Sequence, residues 1–214
     1  MPRDARGWDE RYRSEGSPVG AEPAAFLRDV LPLLPRGRAL DLAMGAGRNA
    51  VFLASNAWQV TGVDYSKVAL EKAASLAREH GLSIHWAAEL QHELPARRVG
   101  LLLVEADLEC GNFPPGQFEL VVCFYYLQRS LFPLIERALA PGGMVVYETY
   151  TLDRPASAGG PRNPEYLLCQ HELLGAFVSL ETVFYRELQA GKGIASLLAR
   201  KPKTVSLSRP WTRA

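Results

Sequence analysis

Three aspartates stand at or beside the ends of apolar runs: Asp41 within Ala39-Leu-Asp-Leu42, Asp64 closing Gln59-Val-Thr-Gly-Val-Asp64, and Asp107 just after Val99 to Ala106. An ionised carboxylate only accepts hydrogen bonds, so its partners are donors such as sugar hydroxyls or an amino group. The first run crosses a turn of small residues, Ala43-Met-Gly-Ala-Gly47, before a helical pattern begins near Asn49. Gly45 and Gly47 give that turn backbone freedom and let a ligand approach where a Cβ would block it. This is the loop of a nucleotide-type cofactor. Asp64 follows Asp41 by roughly the twenty residues at which a second strand-end carboxylate can accept both ribose hydroxyls of an adenosine. As the alternative, such aspartates are solvent-facing strand ends.

A second set of polar residues is placed for work on a substrate. Glu148 ends the apolar run Met144-Val-Val-Tyr-Glu-Thr149 and is a candidate base or cation binder. Arg162, Asn163 and Tyr166 lie in a long turn-rich stretch, where loops carry specificity, and are either substrate contacts or part of a solvated connector. His80, His85, His92 and His171 show no metal-ligand spacing, so no metal site is expected. The odd set Cys110, Cys123 and Cys169 lacks a Cys-x-x-Cys pair and argues for a reducing, cytoplasmic setting.

The elements that must position these groups alternate strand and helix. Gly7 to Glu15 reads as a short amphipathic helix with Trp8 and Tyr12 on one face, broken by Gly16-Ser-Pro-Val-Gly20. Pro23 to Leu34 reads as a second helix. Strands are expected at 39–42, 59–64, 99–106, 118–124 and 144–149. Lys67 to His80 is a helix with Ser66 as its N-cap, and Arg129 to Leu139 is another, stopped by the turn Pro141-Gly-Gly143. Leu82 to Trp86 is open between strand and loop, and Ala87 to Arg97 between helix and irregular chain. Leu180 to Leu188 and Ala195 to Lys201, around Ala190-Gly-Lys-Gly193, form an antiparallel hairpin at the sheet edge.

At 214 residues and 48% hydrophobic content the chain suits one α/β domain. The divisions expected are a helical lid over 1–36, a core over 37–201 and a tail over 202–214. A net charge of +1 supplies no field for nucleic acid or an anionic membrane, which leaves a small molecule as the default partner. No run of about eighteen apolar residues, the length a membrane helix needs, is present.

The segment Asp41-Leu-Ala-Met-Gly-Ala-Gly47 resembles the Asp-x-Gly-x-Gly-x-Gly turn of class I S-adenosylmethionine-dependent methyltransferases. The departure is Ala43 in place of the first glycine, expected to keep a negative φ. A carboxylate in this loop suits a donor without phosphates, whereas a dinucleotide pyrophosphate would be repelled. The resemblance implies a Rossmann-like, doubly wound, mostly parallel seven-stranded sheet with an antiparallel C-terminal hairpin and an N-terminal helical lid. It implies a donor held by Asp41, Ala43, Gly45, Gly47 and Asn49, with Asp64 and Tyr65 at the ribose. Asp107 would accept from the adenine amino group and Leu108 would offer a backbone amide. Phe124-Tyr-Tyr-Leu-Gln128 stands where such enzymes place the residues beside the sulfonium and the entering nucleophile. There Phe124 flanks the donor, and Tyr125 and Tyr126 either face it or pack inside. Trp8-Asp-Glu-Arg-Tyr12 resembles a lid over the donor, with Trp8 and Tyr12 as contacts; the alternative is a staple holding the helix to the body. Together with Gly47-Arg-Asn-Ala50 and Glu148-Thr149, that pattern is similar to the tellurite-resistance (TehB-like) branch, which implies a chalcogen oxyanion or thiol as acceptor. Tyr125, Tyr126 and Glu148 are the catalytic candidates. Two other readings share these residues: an S-adenosylmethionine-binding protein without turnover, and an NAD-dependent oxidoreductase. No Asn-Pro-Pro-Tyr motif follows 118–124, which argues against base modification in nucleic acid. A monomer or homodimer is expected.

Overall fold

The computed structural model describes residues 5–15, 20–87, 100–155, 160–188 and 193–203. Segment 88–99, which takes in the stretch left open up to Arg97 and the start of the strand expected at 99–106, the breaker at 16–19, loop residues 156–159, the hairpin tip at 189–192 and the tail beyond 203 lie outside the described residues.

Among the described residues, eight strands form one sheet in the order β3-β4-β2-β1-β5-β6-β8-β7. They are β1 (Arg38–Leu42), β2 (Gln59–Asp64), β3 (Ile84–Ala87), β4 (Gly100–Glu105), β5 (Phe118–Phe124), β6 (Leu139–Tyr150), β7 (Glu181–Leu188) and β8 (Ile194–Arg200). The first six are mutually parallel, while β8 runs antiparallel to both β6 and β7. The sheet therefore has eight strands rather than the seven expected. The additional one is the four-residue edge strand β3, which gains its ladder only by lying beside β4.

The central strands β1 and β5 are buried almost throughout, so they read as continuous apolar runs. The helices are α1 (Ala5–Glu15), α2 (Ala25–Val30), α3 (Arg48–Ser55), α4 (Lys67–Glu79), α5 (Phe132–Ala138) and α6 (Glu172–Ala176). One core lies between the sheet and α2 to α4, around the fully buried Trp58; the other holds Phe132, Tyr147 and Phe177 under α5 and α6. Trp58 satisfies its indole N–H on the Pro35 carbonyl at 3.1 Å, and the Arg36 guanidinium covers its ring at 4.2 Å. In α4 the buried stripe Ala69, Leu70, Ala73, Ala74 and Ala77 keeps the helix close to the sheet. The Ser66 hydroxyl accepts from Ala69 N at 3.1 Å, the cap expected from its position.

Several boundaries differ from expectation, among them the helix expected over 129–139, which opens as a 3₁₀ turn at Arg129–Leu131 and ends at Ala138. The expected helix over 23–34 is shorter: α2 gives way to a 3₁₀ turn at Leu31–Leu33, where Pro32 enters. The expected turn at Pro141-Gly-Gly143 is absorbed into β6, where a register shift opposite Phe118 to Leu120 and a positive φ of 80° at Gly142 accommodate the kink.

Candidate functional site

The strand order reverses at β1, which pairs with β2 on one side and β5 on the other. In open α/β sheets a ligand crevice forms outside the carboxyl ends of the strands at such a point. A cavity opens there, with Asp41 and the turn after β1 as its floor. Asp64 and Tyr65 after β2, Ala106 to Glu109 after β4, and Phe124 to Leu127 after β5 form its walls. Trp8, Arg11 and Tyr12 of α1 close one side, and Tyr150, Gly160, Pro161 and Tyr166 close another.

The turn after β1 is tight because two glycines take left-handed backbone. At Gly47 φ is 82° and a Cβ would lie 2.6 Å from the Cβ of Ala73, so the close seating of α3 on α4 depends on glycine. At Gly45 a Cβ would run into the Tyr12 hydroxyl. Ala43 corrects an expectation: its φ is 52°, left-handed and not negative. The backbone of the turn is held in place by Met44 N donating to Val63 O at 3.0 Å and Gly45 N donating to Asp64 at 2.8 Å, so Ala43 carries the strain that glycine would avoid.

The carboxylates have distinct environments. Asp41 is 2% exposed, its Oδ2 has no hydrogen-bond partner among the described residues, and burial pushes its carboxyl up to about 8 despite the nearby Arg48. Asp64 accepts from Gly45 N and, at 2.9 Å, from Ser66 N; burial still raises it above the usual carboxylate range. Asp107 accepts from Glu109 N at 2.8 Å and from the Cys110 thiol, so it shapes the turn that presents the buried Leu108 to the cavity.

Aromatic rings crowd the end of β5. Tyr125 adopts φ 58°, with its N–H on Glu148 O at 2.8 Å and its ring 5.2 Å from that of Tyr150. Arg48 lies 5.5 Å from the Tyr125 ring centre, and Arg154 stands equally far from that of Tyr150. Burial raises the phenols of Tyr12, Tyr125, Tyr126 and Tyr150, keeping all four protonated at neutral pH.

The structure gathers Trp8, Tyr12, Asp41, Ala43, Gly45, Asn49, Asp64, Tyr65, Asp107, Leu108, Phe124, Tyr125, Tyr126 and Tyr166 around one cavity. Trp8 and Tyr12 combine both roles considered for them: they line the cavity, and the same helix is tied to the body through Asp9. Gly47 lies just behind the wall and serves packing. Asn49 is committed to structure, since its Oδ1 accepts from Ala24 N at 2.9 Å. Arg162 is exposed and not part of the cavity wall, and Asn163, also outside that wall, caps the turn at Pro164–Tyr166. Glu148 is 5% exposed and sits behind Tyr125 instead of in the wall. Sequence reasoning missed Arg11, Arg48 and Tyr150. Arg11 and Arg48 are adjacent to residues it did select and Tyr150 lies two positions from Glu148, but a neighbour's orientation follows only from the backbone path.

The chain matches the methyltransferase domain family over residues 40–147. A ribosomal RNA small subunit methyltransferase B of Thermus thermophilus is 28% identical over 174 residues, 73% of this chain and 44% of that protein. The chain thus spans less than half the length of that curated relative. Among solved structures, TehB from Haemophilus influenzae superposes with a TM-score of 0.67 at 15% identity, covering 91% of this chain and 67% of that one. The N-methyltransferase NodS from Bradyrhizobium japonicum WM9 gives 0.60 at 18% identity, covering 83% and 92%. With the glycine turn, the cavity at the strand reversal and a family match across half its length, the chain belongs to the class I S-adenosylmethionine-dependent methyltransferases.

Proposed function

We propose that this protein binds S-adenosylmethionine in the cavity at the strand reversal and transfers its methyl group to a small-molecule acceptor. The observation that carries the reading is the buried Asp41, whose Oδ2 at the floor of the cavity has no partner among the described residues. A buried carboxylate in that condition is costly until a cationic or donor group meets it, and the methionine end of the donor supplies one. Asp64 and Tyr65 would hold the ribose, and Asp107 and Leu108 the adenine edge. Phe124 and Trp8 would enclose the sulfonium region, whose positive charge is attracted to aromatic faces.

When bound, S-adenosylmethionine supplies a methyl carbon already activated by positive sulfur. What the chain must add is positioning and exclusion of water, which together can provide most of the catalysis. The residues at the end of β5, with Tyr150 and Tyr166, would orient the acceptor. The α1 side and the segment after β6 wall the cavity on two sides, which favours a small acceptor over a folded macromolecule. A chalcogen oxyanion or a thiol is the acceptor we infer from the likeness to TehB-type sequences. An RNA acceptor has the Thermus relative in its favour, but the net charge of +1 supplies no overall positive field to draw a phosphate backbone.

Calorimetric titration with S-adenosylmethionine, S-adenosylhomocysteine and NAD tests the proposal. Saturable binding of the first two and none of NAD is expected. Binding of NAD alone would overturn it, and tight donor binding with no turnover on oxyanions, thiols, hydroxyls, amines or RNA would leave a binding protein.

A further inference from the structure

The Tyr125 hydroxyl reaches 3.1 Å to Glu148 Oε1, linking the cavity wall to a buried carboxylate behind it. Glu148 Oε2 in turn accepts from the Ser196 hydroxyl at 2.6 Å and faces Arg186 Nη2 at 3.6 Å. Three elements converge on this carboxylate: β6 carries it, β8 brings Ser196, and β7 brings Arg186. The left-handed backbone at Tyr125 costs energy for a bulky residue. It is imposed by the Tyr125 N–H on the Glu148 carbonyl, so backbone and side chain of one residue are both tied to Glu148.

We propose that Tyr125 and Glu148 form a proton relay that deprotonates the acceptor, and that the acceptor's nucleophile is a neutral hydroxyl or amine in place of a pre-ionised thiolate or oxyanion. This rests on the donor reading above; for the acceptor it departs from the oxyanion or thiol that likeness to TehB-type sequences suggests. As the acceptor attacks, its O–H or N–H bond breaks and the proton passes to Tyr125 Oη. The phenol's own proton passes to Glu148 Oε1. The electron pair left on the acceptor atom forms the new bond to the methyl carbon, and the departing sulfur keeps the pair of the broken C–S bond. Glu148 ends protonated and returns its proton to water by the same route after product leaves.

Two features favour a relay over a phenolate base. Burial and the facing Glu148 raise the Tyr125 phenol far above neutrality, with Arg48 the opposing charge and Tyr150 adding to the rise, so the hydroxyl is a donor and acceptor and not a base by itself. The carboxylate meanwhile accepts from Tyr125 and Ser196, and Arg186 balances its charge, which defines it as the terminal proton acceptor.

Donor affinity of wild type, Tyr125→Phe and Glu148→Gln is measured first by calorimetry. Failure of the wild type to bind donor defeats the parent reading, whereas intact binding isolates the relay. Turnover is then compared on catechol, neutral at pH 7, and on 4-nitrothiophenol, already an anion. Both variants are expected to lose about 10²- to 10⁴-fold in kcat on catechol, the range of general-base assistance, with donor affinity retained. The loss on the thiolate should be at least tenfold smaller. In the unliganded protein, alkaline absorbance titration should show Tyr125 ionising at lower pH in Glu148→Gln, since a facing negative charge is gone. Equal losses on both acceptors, turnover of the thiolate alone, no turnover of either, or an unshifted titration would each overturn the relay.

Discussion

At the residue scale, Ala43 and Asp41 carry costs that donor binding gives a reason to keep. Ala43 holds a left-handed φ of 52°, which costs an L-residue about 1–2 kcal/mol relative to glycine's freedom. Ala43→Gly should therefore raise unfolding free energy by about 1 kcal/mol, less what glycine loses in entropy on folding. Urea denaturation would read this, and a destabilised variant would refute the strain. Asp41 binds a proton up to about pH 8 when folded but only to about 4 when unfolded. Across that window the folded state holds more protons, so the unliganded protein loses stability as pH rises from about 4 to about 8 and levels off above. A cationic donor favours the ionised form, so binding at pH 7 should release a proton. Calorimetry in buffers of different ionisation enthalpy measures it. Release in wild type and none in Asp41→Asn is the expected result; equal release in both would remove Asp41 from the donor site.

At the element scale, Asp9 ties the N-terminal helix to the body. Asp9 accepts from the Ser66 hydroxyl at 2.5 Å and from Val68 N at 3.2 Å, placing a carboxylate at the N-terminus of α4, where it opposes the positive end of that helix. The same helix puts Trp8, Arg11 and Tyr12 against the cavity. Asp9→Ala should cost about 1 kcal/mol, the value of a helix-end cap, and loosen α1. Hydrogen exchange over Ala5–Glu15 should accelerate, and stopped-flow donor release should quicken several-fold. Unchanged exchange there would mean that ring packing, and not Asp9, holds the helix.

At the scale of the whole molecule, the cavity draws on α1, the ends of β1, β2, β4 and β5, and the segment after β6, so a ligand there should stabilise the entire fold. At a hundred times its dissociation constant a ligand adds about 2.7 kcal/mol. For a chain of this size that is a rise in Tm of roughly 5–10 °C. Thermal unfolding with S-adenosylmethionine should show it, and NAD at the same concentration should not. A shift with both compounds would point to nonspecific stabilisation.

The parallel strands β1, β2, β4, β5 and β6, the capped helix α4 and the closing hairpin were legible in the sequence, because each is a local pattern of apolar period, turn residues and caps. That Asp41, Asp64 and Asp107 line the cavity was legible for the same reason: a polar group at or near the end of a buried parallel strand opens onto the crevice beside the switch point. Strand β3 was not, since four residues form a strand only by pairing with β4. The turn at 141–143 was misread because a bulge depends on the partner strand. Asn49 and Asn163 were indistinguishable by type from ligand contacts until the fold supplied their backbone partners, and Arg162 until the fold left it outside the cavity wall. Arg11, Arg48 and Tyr150, and the chain from Tyr125 through Glu148 to Ser196 and Arg186, join residues far apart along the sequence. Local pattern determined which strands and which carboxylates; the path of the backbone through space decided which side chains meet.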